Sequence, residues 1–298
     1  MSITVDLTKE KINILENVNL AKYTSLKVGG HARYMAIPKK ISDIEKILPI
    51  VKDYNLELEI IANGTNCLIS DHDHNKFFLN MSSYRGVSIK GNIIVTKSGE
   101  KLDRLITKGI EHNLIGLENL GGLPGTIGGA LKNNSGANGS KISDLFLYAD
   151  VLDKNFAARR VVNYEDAFSD RKSPFNEDDV ILDAAFKMIP TKLVEEATKT
   201  KLNYLNIRKD KGEFKYPSAG CIFKNPKDNY AGKLIDSVGL KGTRIGGALI
   251  SPYHGNFIVN EHKAKASDIY QLAILAREKV AQKYNIDLEF EVRLIGEF

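Results

Sequence analysis

A chain of 298 residues with 43% hydrophobic and 27% charged residues can bury a sizeable core, as one large domain or two ordinary ones. Its formal charge of +5 comes from Lys and Arg spread along the sequence. Pairs such as Arg159-Arg160 and Arg208-Lys209 therefore read as solvated faces rather than a nucleic-acid patch, while a mild positive balance suits a small polyanion. No run approaches the roughly 18 apolar residues of a membrane span, residues 1–17 lack a signal-peptide core, and Cys67 and Cys221 cannot make a disulfide framework. A reducing cytoplasm is the expected setting.

In chain order, residues 33–37 read as a strand ended by Pro38, and Ser42 is placed to cap a helix running to about Tyr54. Ile44, Ile47, Leu48 and Val51 share one face of it, and Pro49 predicts a kink or a two-piece helix. A strand over 57–61 runs into Asn63-Gly64-Thr65-Asn66. Strands near 77–79 and 92–96 precede a helix over about 100–113, with Leu102, Leu105, Ile106 and Ile110 inward. Strand-like runs follow at 145–152, 159–162 and 180–188. Pro190 and a change of pattern predict a domain boundary near 190, followed by a charged helix over 193–208. A helix over 267–284 and a strand over 288–295 close the chain.

Two segments stand apart from this alternation. Residues 121–130, Gly-Gly-Leu-Pro-Gly-Thr-Ile-Gly-Gly-Ala, hold five glycines in ten positions. Bare amides in such a run can form an anion-binding nest that a pyrophosphate fills, with Pro124 stiffening the turn and Thr126 offering a hydroxyl. Asn63-Gly64-Thr65-Asn66 is a second candidate nest, although taken alone it reads as a tight turn. There is no Walker sequence and no strand–GxGxxG–helix opening, which disfavours a P-loop nucleotidase and an ordinary Rossmann dehydrogenase. Asp71-His72-Asp73-His74 reads as a solvated loop, the other histidines lack ligand spacing, and no metal is expected.

Asn63 to Asp71, the Leu-Pro-Gly-Thr-Ile-Gly-Gly block and Tyr-Pro-Ser-Ala-Gly-Cys-Ile-Phe-Lys-Asn-Pro at 216–226 occur in that order. Around them stand Tyr23 to Gly30, Ala231 to Ile235, Arg244 to Ala248, Asn256 to Asn260 and Glu291 to Gly296. Together these blocks resemble the UDP-N-acetylenolpyruvoylglucosamine reductase family, in its compact variant, over about residues 19–296. The resemblance implies an α/β (α+β) protein with a vanillyl-alcohol-oxidase-like FAD-binding fold over 1–190 and a substrate-binding domain over 191–298. It implies FAD as cofactor, NADPH as hydride donor, and a UDP-sugar enolpyruvyl ether reduced to UDP-N-acetylmuramate for peptidoglycan. Neither a nucleic acid nor a membrane is an expected partner. The oligomeric state is left open, a monomer being compatible.

By the same resemblance, Arg171 and Glu291 stabilise charge, and Cys221 occupies the proton-donor position that is usually serine. A thiol, with an ordinary pKa of about 8.5, is a better acid than an alcohol and remains mostly protonated at neutral pH. FAD would be held by Asn63, Gly64, Thr65, Asn66, Gly122, Pro124, Gly125, Thr126, Gly128, Gly129 and Gly136. Asn225, Lys233, Arg244 and Asn256 are candidates for the diphosphate and sugar, with a surface role the alternative for each. Asp170 stands where the family usually has tyrosine, and Ser135 and Asn138 where Ala and Tyr are usual. A carboxylate beside Arg171 could compete for its guanidinium. Another flavin oxidoreductase on the same scaffold, or a weakened relative that only binds flavin or UDP-sugar, are the competing readings.

Overall fold

The computed structural model describes residues 3–169 and 171–298, so Asp170 lies outside the described residues. The chain divides into two compact units. One comprises the chain up to Glu16, Arg33–Ala62 and Asn75–Asn206; the other comprises Asn17–Ala32, Asn63–His74 and Ile207–Phe298. The last switch falls inside the helix Val194–Asp210, and two stretches from the first 190 residues fold with the C-terminal segment. Among the described residues no helix is long and apolar enough to cross a membrane.

The first unit is built around two sheets. A four-stranded sheet runs in the order Ile14–Asn19, His31–Ala36, His74–Asn80, Leu58–Ile61. The helix Ile41–Asp53 contributes the expected face, Ile44, Ile47, Leu48 and Val51, to a core shared with Phe77 and Leu79. One expectation fails here. Ser42 is not the cap: Lys40 takes that position, and the Asp43 carboxylate accepts from the Lys39 and Lys40 amides at 3.0 and 3.2 Å. The helix runs on through Pro49, which sits on the exposed side, where solvent can serve the carbonyl its missing N–H leaves behind.

The second sheet is antiparallel, in the order Ala158–Val162, Phe146–Leu152, Val180–Lys187, Ile93–Lys97, Val87–Lys90. Its central strand is buried on both faces. Val180 and Leu182 join the cluster just described, while Ile181, Ala184 and Phe186 meet the helix Leu102–Glu111 through Leu105 and Ile106. Burial on both sides is why apolar residues dominate 180–188 on either side of Asp183.

In the second unit an antiparallel sheet runs Ser218–Cys221, Phe257–Asn260, Ala248–Ile250, Arg244–Ile245. Side chains alternate between its faces. Ala248, Ile250 and Ile258 join Ile269, Leu272, Ala273 and Ala276 of the helix Ala266–Tyr284 in one core, together with Leu26, Val28 and Leu68. Leu249, Phe257 and Val259 form a separate patch against Tyr216 and Cys221. Asp71 caps the long helix, accepting from the Ala266 and Ser267 amides at 2.8 and 3.0 Å. His74 is buried beneath Gly296, where a Cβ would fall 2.6 Å from the imidazole. Among the described residues no group of His, Cys, Asp and Glu is gathered for a metal.

Close backbone approach makes one glycine indispensable. A Cβ on Gly99 would lie 1.9 Å from the Met81 carbonyl oxygen, whereas one on Gly91 would meet nothing within 4 Å and suffer only its φ of +60°. Gly99→Ala is therefore expected to cost about 3 kcal/mol or more by urea unfolding, and Gly91→Ala about 1 kcal/mol. Equal costs would contradict the packing described.

Candidate active site

In the second unit a few backbone hydrogen bonds gather three of the sequence-derived site positions. Ser218–Cys221 pairs with Phe257–Asn260, with a register shift between Ser218 and Cys221. Gly220 sits in that shift at φ +75°, a conformation that residues with a Cβ rarely adopt. The chain then turns so that the Ile222 carbonyl accepts from both the Glu291 and Val292 amides, at 2.8 and 3.3 Å. Phe223 bridges Phe290, and the Lys224 amide donates to the Glu289 carbonyl at 2.9 Å. Cys221 and Glu291 thus lie on adjoining strand-like segments, both half-buried.

Asn66 joins them. Its carboxamide nitrogen donates to the Glu291 carbonyl at 3.0 Å, and its own carbonyl accepts from the Arg293 amide at 3.0 Å. Gly64, at φ +57°, presses on the chain at Tyr23 and Thr24, and its carbonyl accepts from the Ser25 amide and hydroxyl, both at 3.1 Å. Asn63, Thr65 and Asn66 remain partly exposed, as a ligand-facing turn requires.

The glycine block of the first unit is more structural than the sequence suggests. Gly121 and Gly122 touch the helix Val194–Asp210 so closely that a Cβ would lie 2.3 Å from the Lys201 carbonyl oxygen or 2.9 Å from Leu205 Cα. The Ile127 and Gly128 amides donate to the Glu100 and Ser98 carbonyls at 2.9 and 2.8 Å. Thr126, 2% exposed, caps the short helix Ile127–Lys132. Gly125, at φ +134°, exposed Pro124 and exposed Gly129 form the open part of the turn. Gly136 lies in a two-stranded turn where a Cβ would crowd Lys141 Cγ at 2.9 Å. Two buried polar atoms flank this region without a partner: Ser98 Oγ and Asn80 Nδ2.

Arg171 belongs to this first unit, half-exposed at φ +53° in a turn closed by pairing of Ser169 with Lys172. Asn134, absent from the sequence-derived site, donates to the Ser169 carbonyl from beneath.

The substrate candidates differ in what they do. Asn256 is 2% exposed, and its carboxamide clamps Phe223 from both ends, accepting from the amide at 3.0 Å and donating to the carbonyl at 2.7 Å. At this position the structure shows a clamp on the backbone that follows the Cys221 strand. His254 Nδ1 accepts from the Asn256 amide at 3.2 Å, and burial pushes the imidazole below its ordinary range, keeping that nitrogen an acceptor. Asn225 accepts from the Ala231 amide at 3.1 Å. Arg244 forms a two-pronged pair with Glu261 at 2.8 and 3.1 Å, which holds the Glu261 carboxyl below its usual range. A diphosphate would have to compete for this guanidinium. Lys233 is exposed, its ammonium 4.8 Å from the Tyr230 ring centroid.

Residues 212–295 match the UDP-N-acetylenolpyruvoylglucosamine reductase C-terminal domain, and residues 32–155 match an FAD binding domain. The chain is 38% identical to the UDP-N-acetylenolpyruvoylglucosamine reductase of Caldicellulosiruptor bescii, over 100% of this chain and 96% of the relative. It is 34% identical to that of Lactobacillus helveticus, over 98% of each. The crystal structure of the Thermus caldophilus enzyme superposes with a TM-score of 0.79 at 29% identity, covering 96% of this chain and 99% of that one. A BBE-like protein of Physcomitrella patens shares the fold alone, with a TM-score of 0.50 at 12% identity over 64% of this chain. The fold is accordingly the vanillyl-alcohol-oxidase-like FAD-binding fold followed by the reductase C-terminal domain. With full-length relatives above 30% identity, this chain belongs to the UDP-N-acetylenolpyruvoylglucosamine reductase family.

Proposed function

We propose that Cys221, Glu291 and Arg171 carry out the reaction of this family: NADPH-dependent, FAD-mediated reduction of UDP-N-acetylglucosamine enolpyruvate to UDP-N-acetylmuramate for peptidoglycan. The reading rests above all on the double acceptance at the Ile222 carbonyl, which sets the Cys221 and Glu291 segments side by side. The two segments lie 70 residues apart in sequence, so their adjacency is a product of the fold.

The residues fit FAD. Ser98 Oγ and Asn80 Nδ2 are buried polar atoms with hydrogen-bonding capacity to give, and Gly128 stands where any Cβ would press on Ser98 at 3.0 Å. Asn63, Gly64, Thr65, Asn66, Gly122, Pro124, Gly125, Thr126, Gly128, Gly129 and Gly136 are the residues we assign to holding it. Since Ile127 and Gly128 already commit their amides, the turn offers those of Gly122, Gly125 and Thr126 to the pyrophosphate. When bound, FAD supplies a hydride taken from NADPH to the methylene carbon of the enolpyruvyl group.

The protein must then manage charge and a proton. As the C=C bond breaks, an electron pair collects on the ether-bearing carbon and its carboxylate. The Arg171 guanidinium is a fixed cation for that charge. Glu291 is the second charged group assigned to this charge-stabilising role. Cys221 delivers its proton to the carbon and is left as a thiolate, which solvent reprotonates. Lys233 and Arg244 supply positive charge toward the diphosphate, and Asn225 a carboxamide toward the sugar; Asn256 acts indirectly, by holding Phe223. We place the enzyme in the cytoplasm, where NADPH and UDP-sugars are available, and its oligomeric state is compatible with a monomer.

Two experiments test this. Without oxygen, NADPH is expected to bleach the bound flavin and UDP-N-acetylglucosamine enolpyruvate to restore its colour; bleaching without that return would overturn the assigned substrate. Cys221→Ser is expected to retain much of the turnover, whereas Cys221→Ala should lose about a hundredfold or more. Parent-like turnover in Cys221→Ala would remove Cys221 from the proton-donor position.

A further inference from the structure

On the reading that Arg171 is the cation of the reaction, we propose that Asn134 is a positioning residue that holds the Arg171 turn in place. The helix Ile127–Lys132 ends in a Schellman arrangement. The Ser135 amide donates to the Ala130 carbonyl at 2.8 Å and the Asn134 amide to the Leu131 carbonyl at 3.1 Å, with Asn134 left-handed at φ +41°. Glycine is the usual residue at such a position, and asparagine the tolerated substitute. Here the side chain has its own partner. Asn134 Nδ2 donates to the Ser169 carbonyl at 2.8 Å, and because a carbonyl only accepts, the contacting atom must be the amide nitrogen.

Ser169 is one end of the turn that carries Arg171: its amide and carbonyl pair with Lys172 at 3.2 and 3.3 Å. Arg171 itself holds a left-handed φ of +53°, a strained setting that persists where neighbours enforce it. Asn134 is 2% exposed, and its Oδ1 is buried without a partner. The carboxamide thus desolvates two polar groups to make one hydrogen bond, where glycine would keep the cap and bury neither. Its contribution is therefore sought in geometry, not stability. The same helix end fastens the rest of the loop independently: Ser173 Oγ donates to the Lys132 carbonyl at 2.8 Å, and Lys132 Nζ donates to the Glu177 carbonyl. Loss of the Asn134 bond leaves the loop attached at Ser173 and Glu177 and removes the bond that positions Ser169 at the base of the Arg171 turn.

The test compares Asn134→Gly, Asn134→Asp and Arg171→Ala in the FAD-loaded enzyme, reading flavin content, thermal midpoint and the two half-reactions separately. Asn134→Gly is expected to keep flavin content, thermal midpoint and the rate of bleaching by NADPH. Return of colour with the UDP-sugar should slow by roughly ten- to a hundredfold, the scale of a misplaced catalytic group. Asn134→Asp, which sets an acceptor against the Ser169 carbonyl, should slow the same step. Adding Asn134→Gly to Arg171→Ala should slow it no further than Arg171→Ala alone. Parent-like return of colour in Asn134→Gly, equal slowing of both half-reactions, lost flavin, or additive effects in the double variant would overturn the positioning role. An unaffected return in Arg171→Ala would instead overturn the assignment of Arg171, and the inference with it.

Discussion

One carbonyl oxygen, that of Ile222, organises the C-terminal unit. By accepting from the consecutive amides of Glu291 and Val292 it aligns the chain after Cys221 with the chain after Phe290, and the bridge between Phe223 and Phe290 extends the alignment. The surrounding contacts secure this junction. Asn256 grips both backbone groups of Phe223, Asn66 grips the Glu291 carbonyl, and the bulge at Gly220 sets where Cys221 emerges. Buried backbone groups need partners, so each bond in this set constrains the next. A junction made of backbone groups holds the Cys221 and Glu291 segments in register independently of their side chains.

The first unit relies on a different constraint. Its glycine block meets neighbouring backbone on both sides, the helix Val194–Asp210 at Gly121 and Gly122 and the Ser98 to Glu100 segment at Ile127 and Gly128. Glycine is needed there for approach as much as for ligand binding. The turn is consequently firm where it packs and open around Pro124, Gly125 and Gly129.

Long amphipathic helices were the legible part of the sequence. Ile44, Ile47, Leu48 and Val51, and likewise Leu102, Leu105, Ile106 and Ile110, fall inward as their spacing dictates. The sheet of the C-terminal unit was not legible. Ala248–Ile250 and Arg244–Ile245 are too short to display a period of two, and the glycines between them read as a loop. Asn256 reads as a substrate candidate within a family-like block, whereas its partners here, the Phe223 amide and carbonyl, lie far away in sequence. Asn134 left a fainter signal: asparagine directly after a helix marks a left-handed stop, but only coordinates reveal that its side chain reaches Ser169. Family resemblance identified the chemistry, while local pattern alone could not show that Asn17–Ala32 and Asn63–His74 fold with the C-terminal segment.

That interleaving bears on how the chain matures. Cys67–Ile69 pairs in parallel with Arg293–Ile295, more than two hundred residues further along the chain. Closing so long a loop is entropically slow, and domains complete their folding only when all their segments have left the ribosome. The turn containing Asn66, though made early, must therefore wait for the terminal strand before its carboxamide can meet the Glu291 carbonyl. Nascent chains that stop before Glu291 lack the junction altogether, so this part of the second unit is completed only once residues 291–295 have emerged.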